Sequence, residues 1–161
     1  MPDPFLYFAY GSNLHLPRML SRCPGAEMLF IARRDGYQFR MTRKRSNGFG
    51  AADIVPAEGS CVYGVVYLIP QSQRGDLRKA EGWRENRGAY LEQKDFDVVN
   101  TATGETARTV TYTVRQPHQP PVPTTRRYRD FVLNGARYWQ LPLEYIDQLQ
   151  AAIAVTDCHE R

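Results

Sequence analysis

The apolar positions change period several times along the chain, and each change marks an element. Phe5-Leu6-Tyr7-Phe8-Ala9 is a short aromatic run broken by Gly11-Ser12-Asn13, which predicts a buried strand opening into a tight loop. For residues 15–22, Leu14, Leu16, Met19 and Leu20 give one apolar side, with Pro17 in the first turn and Cys23-Pro24-Gly25 as the stop, so a short helix is expected. From Tyr37 the alternation Tyr37, Phe39, Met41 predicts a strand with one buried face, and Ser46-Asn47-Gly48 predicts a hairpin turn into a further extended segment. Residues 62–69 (VYGVVYLI) are β-branched and aromatic throughout, as suits a central strand buried on both faces.

Beyond Pro70 the period lengthens. Residues 71–80 predict a helix with Leu77 inward, ending at Gly82, which leaves Glu81 at the helix C-terminus. Residues 90–99 and 106–114 predict two strands joined by the turn-rich Asn100-Thr101-Ala102-Thr103-Gly104, and these should pair. The proline-rich residues 116–123 suit neither a helix nor a central strand and predict an extended connector. Thr124 or Thr125 can cap a helix carrying Tyr128, Phe131, Val132, Gly135 and Ala136, and a last helix starts near Pro142. In that last helix Leu143, Ile146, Leu149 and Ile153 form a stripe suited to the core or to an interface, which leaves a homodimer as the candidate assembly.

Composition sets limits on this picture. The 161 residues fit one domain over 1–161, and 42% hydrophobic residues with no run approaching the ~20 that a membrane helix needs point to a globular chain with no membrane partner. An N-terminus without a basic segment and apolar run predicts a cytoplasmic protein. Cys23, Cys61 and Cys158 are odd in number and widely spaced, as expected of free thiols. The net charge of +4 concentrates in Arg40, Arg43, Lys44 and Arg45 beside Arg33-Arg34. A short basic run without a recognition element reads as a solvated turn rather than a nucleic-acid surface, although small acidic substrates would also suit it.

Most catalytic chemistries find no support. His15, His118 and His159 are scattered, and no HExxH or CxxC spacing occurs, so no metal is expected. Ser12 lies in no GxSxG elbow, and Gly48-Phe49-Gly50 lacks the rest of a dinucleotide fingerprint. What remains is a glycine-bearing loop directly after the first strand and a carboxylate at a helix end, with Glu81 and Glu85 both eligible.

The segment Phe8-Ala9-Tyr10-Gly11-Ser12-Asn13-Leu14 resembles the FAYGSNL signature of the gamma-glutamylcyclotransferase-like superfamily, which includes AIG2-like proteins. The likeness continues through Tyr63-Gly64-Val65-Val66-Tyr67, through the L-x-x-x-E-G…Y pattern of Leu77, Glu81, Gly82 and Tyr90, and through Tyr128, Gly135-Ala136 and Leu141-Pro142-Leu143-Glu144-Tyr145. It implies an α+β fold, a small mixed β-barrel-like sheet flanked by helices, with a cavity beside the loop. It also implies a cofactor-free reaction on a small gamma-glutamyl substrate, in which the α-amine attacks its own side-chain carbonyl to give 5-oxoproline and a free amine; the alternatives within the fold are removal of a gamma-glutamyl group from a biosynthetic intermediate and ligand binding without turnover.

Under that resemblance Glu81 is the acid/base residue, and Tyr10, Gly11, Ser12, Asn13, Leu14 and Tyr128 bind substrate. A glycine at position 11 lets backbone N–H groups approach a substrate carboxylate. One carboxylate can take the proton of the attacking ammonium and return it to the leaving nitrogen. Burial and a helix C-terminus would both raise its pKa. Trp83 departs from the smaller residue expected after the Glu-Gly pair, and Arg84 and Arg87 add charge that bears on the leaving group.

Overall fold

The computed structural model describes residues 2–83 and 88–156. Its centre is a closed five-stranded barrel in the order β1 (Phe5–Ala9), β3 (Gly50–Ile69), β2 (Glu27–Lys44), β4 (Tyr90–Asn100), β5 (Thr106–Val114). Neighbours pair antiparallel except β1 and β5, which close the barrel in parallel at Tyr7 and Val110. Closure leaves no free edge and brings the first strand of the chain beside the last.

The run in residues 62–69 is the central strand expected of it. This half of β3 bonds β1 on one side and β2 on the other, and Val62, Val65, Val66, Tyr67 and Ile69 are wholly buried. β2 starts at Glu27, ten residues before the alternation that announces it. The polar stretch Arg33-Arg34-Asp35-Gly36 hides this earlier half, whose strand geometry comes from pairing with residues 62–68 of β3. Three register shifts, after Met28, Asp35 and Arg40, let such a long strand bend around the barrel. At the second of them Gly36 takes a φ of 79°, which a side chain would resist.

Helices α1 (Leu16–Arg22), α2 (Arg74–Ala80), α3 (Arg126–Tyr138) and α4 (Leu143–Ala152) pack around the barrel. Their ends follow the chemistry of the sequence. The His15 ring caps α1, the Thr125 hydroxyl accepts from Tyr128 N–H to cap α3, and Gly82 ends α2 at a φ of 73°. One continuous core joins the barrel to α3 and α4 through Val132, Leu133, Ala136, Ile146 and Leu149. Leu143, the first member of the α4 stripe, is 80% exposed, while Ile146, Leu149 and Ile153 are buried. The connector at residues 116–123 is extended, with His118 and Val122 N–H donating to Thr42 and Met41 carbonyls at 2.8 and 2.7 Å. No helix among the described residues is long and apolar enough to cross a membrane.

Candidate active site

The loop after β1 is a tight turn held from several sides. Leu14 N–H donates to Gly11 O at 3.0 Å and His15 N–H to Ser12 O at 3.2 Å, so Ser12–Leu14 forms one turn of 3-10 helix leading into α1. The Tyr67 hydroxyl donates to Asn13 O and the Trp139 indole to Leu14 O, both at 2.9 Å. Helix α3 lies directly on the turn. A Cβ on Gly135 would sit 2.4 Å from the Leu14 carbonyl carbon and 2.6 Å from His15 N, so only glycine permits this approach. Gly11 abuts the barrel, where an added Cβ would meet that of Ala52 at 3.0 Å.

Clamping the turn aims Asn13 at the end of α2. Its Nδ2 donates to Glu81 Oε1 at 3.1 Å and to the Tyr7 hydroxyl at 3.0 Å, and the Tyr7 hydroxyl in turn donates to Glu81 Oε1. Arg22 Nη1 donates to Asn13 Oδ1 at 3.0 Å, which fixes the amide with its nitrogen toward the carboxylate. Helix α2 is tied to the barrel by Glu92 of β4, which accepts Arg78 Nε and Nη2 at 2.7 and 2.8 Å, Arg74 at 3.2 Å and the Tyr112 hydroxyl at 2.7 Å. The carboxylate of Glu81 therefore sits on an anchored element and faces inward.

Burial raises the Glu81 pKa above its ordinary value, and the Tyr7 hydrogen bond, the charges of Arg22 and Arg18 and the Asn13 hydrogen bond restrain that rise. The result is a carboxyl group with more affinity for a proton than a surface glutamate has. Such a group can both accept and return a proton.

Tyr7, Tyr10, Gly11, Ser12, Asn13, Ala52, Glu81, Tyr90 and Tyr128 line an inner pocket. It opens into an outer cleft of about 250 Å³ walled by Ser12, Arg18, Arg22, Arg43, Arg45 and Tyr128, with Glu81 between the two. The Tyr128 hydroxyl accepts Ala52 N–H at 2.9 Å and the Tyr90 hydroxyl donates to Ala52 O at 2.8 Å, so both rings are pinned to β3. The Tyr10 hydroxyl donates to Tyr112 O. Ser12 Oγ accepts Arg18 Nε at 3.1 Å.

The fold thus gathers Tyr10, Gly11, Ser12, Asn13, Glu81 and Tyr128 around one pocket. Leu14 points the other way, wholly buried under α3. Glu85, Arg84, Arg87, Cys158 and His159 lie outside the described residues. Trp83 is partly buried, with the Arg78 guanidinium 4.5 Å above its ring. Tyr7, Ala52, Arg18 and Arg22 escape the sequence reading, which named Tyr90 only within a motif and Arg43 and Arg45 only within a basic run. Tyr7 sits in an unbroken apolar run where no alternation separates the pocket face from the core face. Among the described residues no group of three His, Cys, Asp or Glu side chains is placed to hold a metal ion.

Comparison with known proteins agrees with this fold. Residues 61–149 match the model of the AIG2-like family. The chain is 30% identical to human gamma-glutamylcyclotransferase over 155 residues, covering 92% of this chain and 79% of the relative, and 31% identical to the mouse enzyme over 156 residues with the same coverage. A solved structure of a gamma-glutamyl cyclotransferase superposes with a TM-score of 0.88 at 28% identity, over 99% of this chain and 93% of that one. The chain belongs to the AIG2-like family of the gamma-glutamylcyclotransferase-like superfamily.

Proposed function

We propose that the protein is a gamma-glutamylcyclotransferase, converting a gamma-glutamyl amino acid or amine into 5-oxoproline and the free amine, with Glu81 as general base and then general acid. One observation carries the reading: a half-buried carboxyl of raised pKa, held by Tyr7 and Asn13 in the wall of a cleft beside a glycine loop.

The substrate's α-carboxylate rests against the Gly11–Ser12 corner, where loop N–H groups and the nearby Arg18 and Arg22 charges favour an anion. Held there, the glutamyl chain folds so that its α-nitrogen meets its own δ-carbonyl, and the confined geometry replaces much of the entropy a bimolecular attack would lose. Glu81 takes a proton from the ammonium, and the freed lone pair forms the new C–N bond. Glu81 returns that proton to the departing nitrogen as the original amide C–N bond breaks, then takes the second proton that the ring nitrogen sheds and passes it to the released amine, which departs as an ammonium. No water is consumed and no oxidation state changes. The nucleophile belongs to the substrate, so dialysis against a chelator is expected to leave turnover unchanged.

The test is incubation with gamma-glutamyl dipeptides and gamma-glutamyl amines, followed by quantitation of 5-oxoproline. Release of 5-oxoproline in equal amount to free amine supports the reading. Release of free glutamate instead would mean hydrolysis by water and would overturn it.

A further inference from the structure

The outer cleft carries more positive charge than the cyclisation requires. Arg18 and Arg22 lie four residues apart on one face of α1, while Arg43 lies in the end of β2 and Arg45 just past it, so a helix face and a strand end bring four guanidinium groups to one opening. All four are half-buried, and none forms an ion pair with a carboxylate among the described residues. Lys44, between the second pair, turns out to solvent.

The two pairs are not equivalent. Arg18 and Arg22 hold the loop through Ser12 and Asn13 and so belong to the glutamyl end of the site. Arg43 and Arg45 approach from the barrel rim. Arg43 Nη1 donates to Lys44 O, and Arg45 Nε donates to Phe49 O at 3.3 Å while its guanidinium lies 5.1 Å over the Tyr128 ring. Each keeps most of its five N–H donors uncommitted, in a cleft where partial burial strengthens a charge-assisted bond.

We propose that Arg43 and Arg45 form the subsite for the leaving half of the substrate, and that the preferred leaving amine carries two negative charges, as an acidic amino acid does. This inference rests on the cyclotransferase reading. A single C-terminal carboxylate can engage one guanidinium fork, and an acidic side chain on the same residue supplies the partner for the second. Uncharged leaving amines leave both arginines without a counter-charge.

The test separates binding from turnover. Calorimetric titration of the Glu81→Gln protein with gamma-glutamyl-aspartate and gamma-glutamyl-asparagine compares ligands that differ by one charge. The aspartate compound is expected to bind roughly tenfold tighter at low salt, with the gap narrowing as salt is added. Arg43→Gln and Arg45→Gln, each introduced into that background, are expected to bring the two affinities together. Equal affinities, or a preference for the asparagine compound, would overturn the subsite. Unmodified protein that shows the charge preference in binding yet releases no 5-oxoproline from either compound would sink the proposed activity and leave the subsite standing.

Discussion

The Tyr7 hydroxyl donates its hydrogen bond to Glu81 Oε1 across 74 residues of chain, joining the first strand of the barrel to the end of α2. The bond stabilises the ionised carboxylate, and it is the largest of the influences that hold the Glu81 pKa down against burial. Tyr7→Phe should therefore shift the acid limb of the kcat/KM against pH profile to higher pH, because below its pKa Glu81 is protonated and cannot take the ammonium proton. Asn13→Ala should shift it in the same direction by less. A limb that stays in place or moves down in Tyr7→Phe would separate the limb from Glu81.

Removal of the carboxylate is expected to act oppositely on activity and on stability. Glu81→Gln keeps the size and an acceptor oxygen, so cyclisation should fall by at least ~10²-fold while the fold persists. The sign for stability follows from the raised pKa: the folded state holds the proton more tightly than the unfolded one, so ionisation weakens the fold as pH rises above the ordinary carboxylate value of 4.5. At pH 8 the variant should melt no lower than the parent. A markedly lower melting temperature would give Glu81 a structural role.

Glu92 has the reverse linkage. Burial alone would raise its pKa, but hydrogen bonds from Arg78 and Tyr112 and the charges of Arg74 and Arg78 pull it down to about 2. Its contribution to stability is complete above the ordinary value of 4.5 and is lost as pH falls toward 2. Its side chain is 2% exposed, so Glu92→Ala should destabilise by about 3 kcal/mol at neutral pH, leaving two arginines and a phenol without their acceptor. Denaturant melts of parent and Glu92→Gln should converge on acidification. A gap that is constant with pH would remove the ion pairs from the explanation.

Two glycines should respond in opposite ways to the same added methyl group. At Gly135 the methyl meets the backbone of Leu14 and His15, so Gly135→Ala should cost about 2–3 kcal/mol and displace the turn that aims Asn13, raising KM as well. At Gly75, in α2, nothing lies within 4 Å, and Gly75→Ala should stabilise by about 0.4–1 kcal/mol with activity retained. Equal effects at the two sites would show that helix α3 is free to move away from the loop.

The sequence by itself determined most of the elements and the loop that faces the pocket. Local rules suffice for these: an aromatic run stopped by glycine, a β-branched run ended by proline, a cap at Thr125 and a left-handed stop at Gly82 act within a few residues of chain. The motif from Phe8 to Leu14 was equally legible as a contiguous pattern, whereas Glu81 was separated from Glu85 by the family resemblance alone. Where β2 begins was not, since its first half is shaped by pairing with residues 62–68 of β3 rather than by its own alternation.

Only the tertiary structure decided what surrounds Glu81. A period of two tells which residues of a strand share a face, but not which face a closed barrel turns inward, and a register shift breaks the phase. The irregularity between Arg40 and Arg43 buries Met41 and Thr42 together, so the alternation of Phe39 and Met41 cannot be carried on to Arg43 and Arg45. The same limit applies to Tyr7 and Leu14. One proved to touch the carboxylate and the other to fill the core, because closure of β1 against β5 and the descent of α3 onto the loop at Gly135 are long-range events that no local pattern encodes.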